Sequence, residues 1–131
     1  MKSLTIGLQH TSKVVVTNQN TAVMFGSGDM KVLATPEMVA LMENAAMSAV
    51  SLVLNEEDTT VGCSINTSHI RPSALGATIT ATATLTEIDG RMLTFHVIAH
   101  DQGRIIGEGT HVRCIVNRNK FLEKMEARTI Q

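Results

Sequence analysis

Hydrophobic spacing along the chain changes in character several times. Residues 4–16 alternate polar and apolar side chains, the period of two that marks a strand with one buried face. Residues 17–30 break the pattern with a polar stretch containing Gly26-Ser27-Gly28-Asp29, which predicts a loop able to act as a mobile lid. Thr35-Pro36 then carries the signals of a helix start, because a threonine hydroxyl accepts an early backbone N–H and proline is tolerated at the first helical position. Met38, Leu41, Met42, Ala45, Ala46, Ala49, Leu52 and Val53 recur at helical spacing and predict a helix over 36–54.

Beyond the polar break Asn55-Glu56-Glu57-Asp58 the period returns to that of strands, over 60–70, 77–88, 92–100 and 105–116. A further helical turn is expected after residue 119. Asp89-Gly90 suits a two-residue hairpin and Asp101-Gln102-Gly103 a short glycine-containing one, so the strands they join are antiparallel. Ala77, Ile79, Ala81, Ala83 and Leu85 alternate with threonines, which gives one strand a face of small side chains matched to the alanine-rich helix. The class is α+β, with one long helix and a mostly antiparallel sheet. Pattern alone leaves several α+β folds open.

Composition narrows the partners. The 131 residues fit one domain spanning 1–131, with 44% hydrophobic and 18% charged residues, as in a globular chain. Only 2% are aromatic, so the core falls to Val, Ile, Leu, Met and Ala. A formal charge of -1 gives no general attraction to nucleic acid or to anionic membranes. Cys63 and Cys114 stand far apart with no CxxC partner, and no metal-binding or nucleotide-loop signature occurs, so neither metal nor disulfide framework is expected. The N-terminus lacks a continuous apolar run and no segment approaches the length of a membrane span, so a soluble, cytoplasmic protein is expected.

Three stretches carry a more specific signal: LATPEMVALMENA, then VGCSINTSHIRPSALG, then GRMLTFHVIAHDQGRIIGEGTHVRCIV. In order and spacing they resemble the fluoroacetyl-CoA thioesterase-like family of hotdog-fold enzymes over most of residues 32–121. The resemblance implies a hotdog fold, an antiparallel sheet wrapped around one long central helix. It implies a homodimer, or a higher oligomer, hydrolysing a small acyl-CoA at sites near the subunit interface, with no cofactor because CoA belongs to the substrate. It places the catalytic set on Thr35, Glu43 and His69, the active-site glycine on Gly62, and a substrate-binding role on Arg113. The segment from Gly26 to Leu33 lacks the phenylalanines that form the selective lid of the fluoroacetyl enzyme, which points away from fluoroacetyl specificity.

Each residue also has a plainer reading. Thr35 before a proline serves many helices merely as a cap. Glu43, eight positions later, lies at the margin of the apolar stripe, where a solvated carboxylate is ordinary; as a functional group it would activate water or attack the thioester itself. His69 ends a strand just before Arg71-Pro72, and near Glu43 it would move a proton or hold the attacking water. Gly62 permits either a bulge or an approach of its backbone N–H to a thioester carbonyl. Gly107 and Gly109 admit a neighbouring backbone or a substrate arm. His96 and His100 share a strand face but stand about 13 Å apart, too far to chelate one ion. The competing functions are an acyl-CoA-binding module without turnover, and an enoyl-CoA hydratase, whose Asp/His motif is not apparent.

Overall fold

The computed structural model describes residues 3–129. Five strands, β1 (Gln9–Val15), β2 (Asp58–Thr67), β3 (Thr78–Asp89), β4 (Met92–Asp101) and β5 (Arg104–Asn117), form one antiparallel sheet in the order β1-β3-β4-β5-β2. Its helices are α1 (Ala22–Phe25), α2 (Thr35–Ser51) and α3 (Arg118–Thr129). The sheet curls around α2, which packs chiefly against β3 and β1; this is the hotdog arrangement.

The core follows from the two periods. On α2, Met38, Met42, Ala45, Ala46 and Val50 are fully buried. They face Ile79, Ala81, Ala83 and Leu85 of β3 and Leu93, Phe95, Val97 and Ala99 of β4, all equally inaccessible. Alanines on both sides keep helix and sheet close, and Phe95 fills the space their missing volume leaves. The threonines that alternate with them in β3 lie on the other face of the sheet.

Several expectations need correction. The first strand begins at Gln9, because Gly7 at φ +98° turns the chain beforehand and donates its N–H to Leu85. Residues 17–30 are not an open loop. Thr17 caps a 3-10 turn at Asn18–Asn20, Thr21 caps α1, and Gly26 closes α1 in the left-handed region at φ +71°. Bridges Thr21↔Leu33 and Val32↔Ala74 fasten the base of this segment to the body. The long helix stops at Ser51, three residues early, although Val53 and Leu54 still pack on the core. The tail is a 12-residue helix rather than a single turn.

The glycines of β5 serve backbone packing. A Cβ on Gly109 would collide with the Asn66 carbonyl, and one on Gly107 with that of Ser68. The β2–β5 register shifts between Gly62 and Ser64, a bulge that displaces Cys63. Among the described residues no helix is long and apolar enough to cross a membrane. Gly109→Ala is expected to destabilise the protein by ~2–3 kcal/mol, since the obstructing atoms are main chain and cannot rotate away. Urea unfolding measures this, and an unchanged midpoint would contradict the packing described.

Candidate active site

Two residues of α2 organise two separate polar clusters. Thr35 and Glu43 lie eight positions apart on the helix, about 12 Å along its axis. Each meets a different part of the sheet.

At the N-terminus of α2 the cap position is Ala34, with no side-chain cap bond. Thr35 is therefore not a cap. Its Oγ1 lies 2.7 Å from Nδ1 of His69, which follows the end of β2. Nε2 of His69 is buried and has no hydrogen-bond partner. An orphaned buried nitrogen costs free energy unless something arrives to bond it, so this atom is open to a further hydrogen-bond partner. Burial, partly offset by the Arg71 backbone, holds His69 below the ordinary histidine value of 6.5, which favours the neutral ring. A cavity of about 240 Å³ opens beside the pair, with Ala22, Ser27, Val32 and Leu33 of the segment before α2 among its walls.

The second cluster surrounds Arg113, whose guanidinium is buried while the Glu43 side chain remains 42% exposed. Arg113 donates through Nε to the Thr60 hydroxyl at 2.8 Å and through Nη2 to the Thr60 carbonyl at 3.0 Å. Its Nη1 lies 3.1 Å from Nε2 of His111. Arginine only donates, so Nε2 of His111 accepts, and the ring proton is on Nδ1, which donates to the Ser64 carbonyl at 2.8 Å. Burial, reinforced by the Arg113 charge, pushes His111 below 6.5, against the pull of the Ser64 bond and Glu43. A neutral His111 thus fixes the guanidinium, and the guanidinium faces Oε2 of Glu43 at 3.9 Å.

Gly62 completes this cluster. A Cβ there would lie 2.9 Å from Oε2 of Glu43, so the bare glycine makes room for the carboxylate. Its partner across the ladder is Arg113. Ile115 donates its N–H to Arg91, away from β2. Antiparallel alternation orients Arg113 the same way and leaves the Gly62 N–H on the open side of the edge strand β2.

The five site residues expected from sequence therefore fall into two groups. Thr35 pairs with His69, and Glu43 joins Gly62 and Arg113; within one chain the first group is not drawn against the second. His111 and Thr60 were missed as members. The available signal was polar residues at inward-facing strand positions, two apart at 111 and 113. His96 instead bonds Glu108 at 2.7 Å on the exposed side of the sheet.

With this geometry in view, the relatives are informative. A family model described as fluoroacetyl-CoA-specific thioesterase matches residues 16–119. The fluoroacetyl-CoA thioesterase of Streptantibioticus cattleyicolor is 37% identical over 99 residues, 76% of this chain and 71% of that protein. The chain belongs to this family. A structure of the fluoroacetyl-CoA thioesterase superimposes with a TM-score of 0.89 at 31% identity, covering 96% of this chain and 98% of the other. A phenylalanine-to-alanine mutant of that enzyme, solved with fluoroacetate and CoA, gives 0.84 at 32% identity over 90% of this chain and 99% of the other. A thioesterase superfamily member from Thermus thermophilus shares the fold at 24% identity, with a TM-score of 0.88 and coverage of 98% and 95%. Membership in the fluoroacetyl-CoA-specific thioesterase family makes the chain a thioester hydrolase.

The two neutral histidines carry a pH consequence. Both bind a proton less readily folded than unfolded, so the unfolded state takes up more protons once the pH drops below 6.5. Their contribution to stability is intact above that value and is lost as the pH falls towards their lowered folded values. The denaturation midpoint is expected to fall between pH 7 and 5, and less in His111→Gln; equal falls in the two proteins would refute the assignment of the neutral His111.

Proposed function

We propose that this protein hydrolyses small acyl-CoA thioesters to a free acid and CoA, without fluoroacetyl specificity, at a site that two copies of the chain build together. The observation that carries the reading is the pair of half-sites, a hydroxyl–imidazole pair and a carboxylate held by a buried arginine, within the fluoroacetyl-CoA-specific thioesterase family. Against fluoroacetyl specificity stands the cavity beside Thr35, which no phenylalanine lines among the described residues.

The chemistry asks for three things: a nucleophile driven at the carbonyl carbon, donors for the oxyanion, and release of the CoA thiolate. Glu43 drives the attack. Its carboxylate either takes a proton from water or adds to the carbonyl itself, and Arg113 holds it in one orientation for both routes. The Gly62 N–H, on the open side of β2, is placed to donate to the oxygen that becomes negative. If Glu43 adds to the carbonyl, the mixed anhydride left after thiolate departure is opened by water, whose proton goes to Nε2 of His69 while Nδ1–H donates to Thr35; if Glu43 is the base, it takes that proton and Nε2 accepts a hydrogen bond that positions the water. The C–S bond breaks as the tetrahedral intermediate collapses. A thiolate needs little acid assistance to leave, and no cofactor beyond the CoA of the substrate is called for.

The second copy supplies the missing proximity. β2 is an edge strand whose residues 62–64 are all exposed, and unpaired edges favour pairing. Antiparallel pairing of two β2 strands about a two-fold axis sets the start of one against the end of the other. Gly62 and Glu43 of one copy then approach His69 and Thr35 of the second.

Purified protein is expected to release free thiol from short acyl-CoAs. Glu43→Gln and His69→Ala should each slow release by about a hundred- to ten-thousand-fold while remaining folded. Saturable acyl-CoA binding without thiol release would establish a binding module instead, and loss of enoyl absorbance a hydratase. Rapid-quench turnover separates the two roles of Glu43: an acyl group recovered covalently on Glu43 marks a nucleophile, and its absence at every time point of the first turnover marks a base.

A further inference from the structure

Arg71 takes no part in the chemistry above, yet it lines the same cavity as Thr35 and His69. Its Nη1 donates to the Ile105 carbonyl at 2.5 Å, which anchors a long and otherwise mobile side chain. A guanidinium has five N–H donors, and this bond occupies one. Arg113, by contrast, is already engaged by Thr60, His111 and Glu43. The cavity is also lined by apolar Val32 and Leu33, with hydroxyl-bearing Ser27 and Thr35. No carboxylate lines it among the described residues. Among the described residues that line the cavity, Arg71 is the one permanently charged side chain.

Accepting the thioesterase reading, we infer that Arg71 selects acyl groups ending in a carboxylate, so that the preferred substrates are short dicarboxylic acids joined to CoA through one end. Location decides between this anion and a phosphate of CoA. Whatever fills a cavity shared with Thr35 and His69 lies within a few bonds of the thioester carbon. The phosphates are separated from the sulfur by the whole pantetheine arm. At about 240 Å³ the space falls below the roughly 300 Å³ at which pockets for drug-sized ligands begin, so it suits a short chain rather than a nucleotide. An apolar wall for the methylenes and a guanidinium for the terminal carboxylate match a molecule that is greasy in the middle and charged at its end. Arg71 is itself exposed, as expected at the mouth, where the distal end of such a chain would lie.

The test compares kcat/KM for malonyl-, succinyl- and glutaryl-CoA with that for neutral acyl-CoAs of the same chain lengths, corrected for spontaneous hydrolysis. It uses wild type, Arg71→Met and Arg71→Lys, and repeats the pairs on pantetheine thioesters, which lack the nucleotide. Wild type should prefer the carboxylated member of at least one pair. Arg71→Met should cut that preference by about tenfold or more, mainly through KM, and Arg71→Lys should keep part of it. The preference should survive on pantetheine thioesters. A preference equal in wild type and Arg71→Met overturns the inference while leaving the thioesterase intact. So does a loss in Arg71→Met that is equal for neutral and carboxylated substrates and disappears on pantetheine thioesters, the signature of a phosphate contact. No turnover of any thioester by wild type overturns the inference together with the reading beneath it.

Discussion

The close approach of α2 to β3 sets where Thr35 and Glu43 stand against the sheet. Ala45 and Ala46 on the helix meet Ala81 and Ala83 on the strand with no exposed surface between them. Larger side chains there would lift the helix from the sheet and carry Thr35 and Glu43 with it, since both ride on α2. The same helix that fills the core thus delivers a hydroxyl to the end of β2 and a carboxylate to its middle. The distance between them is fixed by helical rise, which is why the two polar clusters stay apart within one chain.

Electrostatics within the second half-site descend from a single buried charge. Arg113 is expensive to bury unless every direction of its guanidinium is answered. Thr60 answers with hydroxyl and carbonyl, His111 with a lone pair, and Glu43 with a partly exposed carboxylate. Three of these partners are structural and rigid. The fourth is partly exposed and fits beside the guanidinium because residue 62 is glycine. In the first half-site the balance is reversed: one nitrogen of His69 is satisfied by Thr35 and the other is left open.

Much of the fold was legible in the sequence wherever a period was clean. The alternation from Ala77 to Leu85 and the helical stripe from Met38 to Ala49 each name one buried face, while Leu52, expected on that stripe, lies past the helix end and is exposed; the hairpins at Asp89-Gly90 and Asp101-Gln102-Gly103 name the pairing between neighbours. Residues 17–30 were misread because their helical turns rest on threonine caps and one left-handed glycine rather than on an apolar stripe. The tail helix lacks such a stripe too. For the candidate site, the family resemblance singled out five positions but not their grouping. That grouping depends on which strand positions face inward, and on Ala34 rather than Thr35 taking the cap. His111 escaped notice because a buried histidine reads as core until its acceptor role toward Arg113 is seen.

A shared site implies that two inactive proteins can rescue each other. Glu43→Gln keeps an intact Thr35–His69 pair, and His69→Ala keeps an intact Glu43 cluster. The decisive measurement is thiol release after the two variants are unfolded together and refolded as a mixture. Random pairing makes half the dimers mixed, each with one complete site, so activity should return to about a quarter of the wild-type value. Activity that stays at the average of the two variants measured alone would mean that Glu43 and His69 of the same chain act together, and would contradict the account.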